Sequence, residues 1–273
     1  MMDLAGKIVA VTGAGSGIGR ALALALVERH AIVALADRDA DGLAETHRLA
    51  SRNGVASQHV LDVADHAAVE RFAAAVKAQH GGAHAIVNNA GVALFGTVEQ
   101  LSLDEMRWLI DINFWGVVYG CKAFLPLLRA QSAGCIVNIS SAFGLWGPPG
   151  QAAYAASKFA VRGFSEALRG ELQDSGIHVV TVHPGGIATA IARRSRIAGT
   201  ADPKLAEKMT EVFDRRFLTT PPEVPARDIV EAMVHGKDRV LTGSDVRRID
   251  LLTRLFPQRA PRWFARAAHP KQS

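Results

Sequence analysis

The chain has 273 residues, 49% apolar and 21% charged, which suits one large α/β domain and excludes a disordered or collagen-like chain. Its net charge of +5 is uneven: nine Lys/Arg against three Asp/Glu lie from Lys237 onward. The main body therefore has no basic surplus, which argues against a nucleic-acid-binding domain. Cys121 and Cys135 sit in apolar segments without a CxxC or His-rich partner. They are expected as reduced core residues of a cytoplasmic protein, with no metal site. No basic-then-apolar leader opens MMDLAGKIVAVTG, and no apolar run approaches the roughly 18 residues needed to cross a bilayer.

Lys7 to Val11 is a β-branched apolar run and predicts a buried strand. It ends in Thr12-Gly13-Ala14-Gly15-Ser16-Gly17-Ile18-Gly19, and an Ala/Leu-rich helix follows from Arg20 to Arg29. Strand, glycine loop and helix is the arrangement that holds a dinucleotide pyrophosphate, because glycines admit the phosphates and the helix N-terminus attracts their charge. A second strand, Ala31 to Ala36, ends at Asp37, 18 residues beyond Gly19. An acidic residue near that spacing meets the adenosine ribose hydroxyls and repels a 2′-phosphate. NAD is therefore expected, while Arg38 leaves NADP open, since its guanidinium suits a 2′-phosphate.

Val55 to Leu61 predicts a third strand, closing at Asp62-Val63, and Asp65 caps a helix running to about His80. Ala85 to Val87 predicts a fourth, followed by Asn88-Asn89-Ala90-Gly91. Small and amide residues there suit the crevice at the carboxyl ends of an open α/β sheet. Ser102 with Glu105 is a capping box that opens a long helix towards Ala130. Asn113 lies inside it among Ile112, Phe114 and Trp115, so it is expected buried, needing partners, kinking the helix and holding a relay water.

Cys135 to Ile139 predicts a strand, and Ser141 lies just past it. Tyr154 and Lys158 stand four apart, on one face of a predicted helix. A phenol ordinarily titrates near 10, roughly, and an adjacent ammonium favours the phenolate. Such a tyrosine can give or take a proton at a carbonyl or alcohol oxygen, and the Ser141 hydroxyl can bond the same oxygen. Ala142, Phe143, Leu145, Trp146, Pro148 and Pro149 follow, pointing either to an apolar substrate pocket or to packing. Ile177 to His183 predicts another strand, stopped by Pro184-Gly185-Gly186.

Periodicity fades over about 187–225, where Met209, Phe213 and Phe217 are scattered. The stretch is expected as a substrate lid, or in its second half as a surface excursion with short helices. A helix is predicted over Arg227 to His235, a strand over Arg239 to Thr242, and an amphipathic helix over Asp245 to Phe256. Two readings stand for the basic extension 245–273: a solvated or oligomer-contacting tail, or a weak contact with an anionic membrane surface.

Alternating strands and helices predict a doubly wound, Rossmann-type parallel sheet, a single domain over 1–244. With Thr12-Gly-x-x-x-Gly17-Ile-Gly19, Asp62, Asn88-Asn-Ala-Gly91, Asn113, Ser141, Tyr154-x-x-x-Lys158 and Pro184-Gly185 with Thr189, the chain resembles the short-chain dehydrogenase/reductase family from about Gly6 to Ser244. The resemblance implies an NAD(P)-dependent oxidoreductase acting on a secondary alcohol or ketone. Tyr154 would be the acid/base, Lys158 would lower its pKa and bind the nicotinamide ribose, Ser141 would hold the substrate oxygen and Asn113 a water. Gly13, Ser16, Gly17, Ile18 and Gly19 would line the pyrophosphate. Asp62 and Val63 would meet adenine, and Asn89 the ribose region, with Ala90 and Gly91 beside it. Pro184, Gly185, Ile187 and Thr189 would lie along the nicotinamide, the last two at its carboxamide. A homodimer or homotetramer is implied, through helices including Ser102–Ala130 and Gln151–Ser175. The alternatives are an NADPH-dependent ketoreductase on the same fold, and a nucleotide sensor without turnover.

Overall fold

The computed structural model describes residues 2–189, 191, 194–200, 219–243 and 245–268. Its frame is a parallel sheet of seven strands in the order β3-β2-β1-β4-β6-β7-β9. These strands are β1 (Ile8–Thr12), β2 (Ile32–Asp37), β3 (Ala56–Val60), β4 (Ala85–Asn88), β6 (Gly134–Ile139), β7 (Ile177–Pro184) and β9 (Arg239–Thr242). The crossovers are α1 (Gly17–Glu28), α2 (Ala40–Ala50), α3 (His66–His80), α4 (Leu103–Ile110), α5 (Gly116–Ala130), α6 (Ala152–Glu171) and α7 (Glu223–His235).

Both faces of the sheet's centre are covered, which is why β1, β2, β4 and β6 are buried along nearly their whole length, whereas the edge strand β3 alternates. Along β1, Val9 and Val11 pack with Leu22, Leu26, Leu43, Ile229 and Met233 from α1, α2 and α7. Ile8 and Ala10 face the other way, towards Phe72, Phe124, Leu128 and Val161 from α3, α5 and α6. The strand order reverses between β1 and β4, and ligands of open α/β sheets bind in the crevice outside such a reversal. Thr12, Asp37, Asn88, Ser140 and Pro184 all stand at or just past the carboxyl ends of their strands, around that crevice.

The sequence reading passes over α2, whose buried face is Leu43, Thr46 and Ala50. It also passes over a second, two-stranded sheet of β5 (Leu94–Phe95) with β8 (Arg196–Ile197). The expected long helix from Ser102 is interrupted by a π-helical segment, Asp111–Trp115, between α4 and α5. Gly116 N–H there bonds back to Asp111, one residue further than in an α-helix. The core of the expected lid, 201–218, with Met209, Phe213 and Phe217, lies outside the described residues. The C-terminal extension forms two helices, α8 (Val246–Leu255) and α9 (Ala260–Ala268). Among the described residues no helix is long and apolar enough to cross a membrane.

Candidate active site

At the dinucleotide end, Ser16 precedes α1 without making a side-chain cap. The amides of the first helical turn are thus left for an anion. Gly13 has φ 66°, and a Cβ there would come within 2.7 Å of Ala90 Cα. A Cβ on Gly19 would collide with the Gly13 carbonyl oxygen. Asn89 fixes the loop by donating its side-chain amide to Thr12 O at 2.9 Å and Gly13 O at 3.1 Å. Thr12 Oγ1 accepts the Asn89 and Ala90 amides in return, at 3.1 and 3.2 Å. Arg20 ties the loop to α2, donating to Gly15 O at 2.6 Å and Thr46 Oγ1 at 2.9 Å.

Asp37 accepts Gly15 N–H on Oδ2 at 2.8 Å and Asp39 N–H on Oδ1 at 2.9 Å. A carboxylate has about four acceptor sites, so two remain for ribose hydroxyls. Arg38 beside it is exposed, as is Asp62, whose Oδ1 accepts Ala64 N–H at 2.9 Å. Val63 is buried against Gly116. On the opposite rim Thr189 reaches the loop, its Cγ2 lying 3.0 Å from where a Cβ on Gly17 would stand. Ile187 is buried and pairs with Thr220, while Gly185 N–H bonds Thr242 O at 2.8 Å. The residues present therefore fit a dinucleotide: an uncapped helix end, a glycine cradle closed to side chains, and a carboxylate with free acceptor sites.

The candidate reacting groups gather between β4, β6 and α6. Ser141 opens a 3₁₀ turn, Ala142–Gly144, and its Oγ accepts Phe143 N–H at 3.1 Å. The Ser141 hydroxyl pulls the Tyr154 phenol's pKa down, while burial pushes it up and prevails. Lys158 Nζ donates to Ile139 O at 3.0 Å and lies 5.8 Å from the Tyr154 ring centre. Burial lowers the lysine to about 8. The expectation that Lys158 directly depresses the phenol needs correcting for this state: the phenol is raised, because burial outweighs the pull of the Ser141 hydroxyl and the lysine is itself desolvated.

Asn113 is fully buried, as its apolar neighbours suggested. Its Oδ1 accepts Val92 N–H at 2.8 Å, and Nδ2 donates to Val92 O at 3.0 Å and Ser157 Oγ at 3.2 Å. The side chain thus clamps the end of the β4 loop to α6. A Cβ on Gly91 would stand 3.3 Å from Asn113 Oδ1 and 3.4 Å from Lys158 Nζ, so these two groups meet at that glycine.

The sequence reading missed His183, which stands directly behind the serine. Fully buried, it donates Nδ1–H to Ser141 O at 3.1 Å, and burial holds it neutral with a pKa of about 4. The signal was a histidine inside an otherwise apolar strand. The loop after Ser141 is likewise aromatic and buried: Phe143 lies edge-on to Tyr154 at 6.1 Å and to Trp146 at 5.9 Å.

The family model for short chain dehydrogenase matches residues 7–198, from β1 through the reacting groups. The chain is a short-chain dehydrogenase/reductase. As an oxidoreductase of that family it has a relative in Mycobacterium tuberculosis, putative oxidoreductase SadH, 48% identical over 94% of this chain and 93% of the relative. A short-chain dehydrogenase/reductase of Burkholderia phymatum, solved in complex with NAD, superposes with a TM-score of 0.84 at 28% identity, over 93% of this chain and 95% of that one. Levodione reductase superposes with a TM-score of 0.77 at 27% identity, over 87% and 96%.

Proposed function

We propose that this dehydrogenase interconverts a secondary alcohol and a ketone, with NAD preferred over NADP. The observation that carries the chemistry is the convergence of three side chains: Tyr154; Ser141, whose hydroxyl favours the Tyr154 phenolate; and Lys158, one helical turn on from Tyr154 with Nζ 5.8 Å from its ring centre. Bound nicotinamide supplies the hydride acceptor or donor. Ser141 holds the substrate oxygen, and Tyr154 gives or takes the proton at that oxygen. Lys158 holds the nicotinamide ribose and passes the proton on past Gly91. Asn113 and His183 act as positioning residues, one on Lys158's surroundings and one on the Ser141 backbone. The substrate is apolar: the segment that follows Ser141 is built of Phe143, Leu145 and Trp146, with Phe143 edge-on to Tyr154.

Preference for NAD rests on Asp37, held at the glycine loop by Gly15 N–H. Fluorescence titration with NADH and NADPH tests it. NADH should bind roughly tenfold tighter, and Asp37→Ser should narrow the gap. Tighter NADPH binding would assign the 2′-phosphate to Arg38 instead, and binding of neither would end the dehydrogenase reading.

For assembly, Trp115 and Phe159 are 43% and 42% exposed on the π segment and α6, which suits a homodimer or homotetramer built on these helices. The extension exposes Leu251, Leu255, Phe256 and Trp263 among Arg247, Arg248, Arg254, Arg259 and Arg262, which suits weak contact with an anionic bilayer surface. Cys121 and Cys135 are buried thiols raised to about 12, in keeping with a cytoplasmic setting. Retention of liposomes by the intact chain, and its loss on truncation after Ser244, tests the membrane contact.

A further inference from the structure

The loop between Ser141 and Tyr154 holds two buried donors without partners, Trp146 Nε1 and Gln151 Nε2. Trp146 is 8% exposed and Gln151 5%. Folded chains rarely leave such groups unpaired, and each one asks for an explanation.

Trp146 also occupies a particular place. It is the third ring of a row that begins at the reacting phenol: Tyr154, then Phe143, then Trp146. The fourth ring is Phe264, whose centroid lies 5.1 Å from that of Trp146. Phe264 belongs to α9, far beyond the 7–198 stretch that matches the family model. Next to this row Ala142 and Leu145 pack with Val246 and Ile249 of α8. The end of the chain is therefore folded onto the substrate side of the active site.

We propose that α9 is a wall of the substrate site, and that Trp146 donates its indole N–H to a second oxygen of the substrate, remote from the reacting carbon. The substrate class is an apolar ketone or alcohol carrying a hydroxyl, carbonyl or ester oxygen about two ring widths from the carbon at Tyr154. The rings supply apolar surface. The lone donor among them supplies selectivity, because a hydrocarbon leaves it unpaired while an oxygen satisfies it. This rests on the alcohol/ketone reading above.

The test is calorimetry on the full chain with NADH bound. The ligands are straight-chain methyl ketones of increasing length, each paired with its terminally hydroxylated counterpart. At one chain length the hydroxylated ketone should bind roughly tenfold tighter. Trp146→Phe should bring that ratio to about one, and Phe264→Ala should erase the dependence on length. NADH affinity reports whether each variant has folded. A wild-type ratio near unity at every length, or an unchanged ratio in Trp146→Phe, overturns the proposal. Reduction of the ketones is followed in parallel. Ketones bound with the expected preference but never reduced would remove the dehydrogenase reading and leave the subsite standing. Ketones reduced without preference would do the reverse.

Discussion

Burial presses Tyr154 and Lys158 towards their neutral forms, and this has consequences that can be measured separately. Tyr154→Phe removes the proposed proton carrier while keeping the ring against Phe143. Its kcat should fall by roughly 10²–10⁴-fold with NADH affinity retained, read by steady-state kinetics and titration. Loss of affinity in step with kcat would mean the tyrosine only packs. Lys158 titrates at about 8 in the folded chain against an ordinary value of 10.5. Between those values the unfolded chain holds a proton that the folded chain lacks, so this residue makes stability rise with pH across that window. Any Tm advantage of Lys158→Met over wild type should therefore shrink from about pH 8 to pH 10, by scanning calorimetry. Ser141, Tyr154 and Lys158 were legible because one short stretch carries all three. His183 was not, since what marks it is a partner contributed by a distant strand, and Trp146 was visible only as apolar lining, not as an unpaired donor.

Among the elements, the π segment is where sequence and structure meet most closely. An asparagine amid Ile112, Phe114 and Trp115 announced a buried amide needing partners, and the break in the helix followed from it. Val92, however, is 21 residues away, and nothing in the local pattern names it. Asn113→Leu should leave the Val92 N–H and C=O without their partners and cost roughly 2–5 kcal/mol, read as a lower denaturant midpoint. A midpoint unchanged within error would mean that water replaces the amide. β1, β2, β4, β6 and β7 were readable as short, mainly apolar runs. The β5–β8 pair was not, because two residues show no period.

At the scale of the molecule, the parallel sheet and its reversal were written in the alternation of strands and helices. The path of the C-terminal extension was not, because its amphipathic helix would read the same on solvent, a membrane or its own domain. Exposed Trp115 and Phe159 predict self-association. Trp115→Glu should shift the light-scattering mass from an oligomer towards the monomer, with little effect on Tm, since the site is partly open in the single chain. A monomeric wild type at micromolar concentration would remove that expectation.

The contact between Phe264 and Trp146 also sets an order of events during synthesis. Domains take shape from the N-terminus as the chain is made. The glycine loop, Ser141 and Tyr154 all leave the ribosome before Phe264. A nascent chain can therefore acquire its nucleotide cradle while the far side of its pocket is still open. If α9 walls the substrate site as proposed, a chain held on the ribosome before Phe264 emerges should bind NADH yet show none of the chain-length preference of the folded protein.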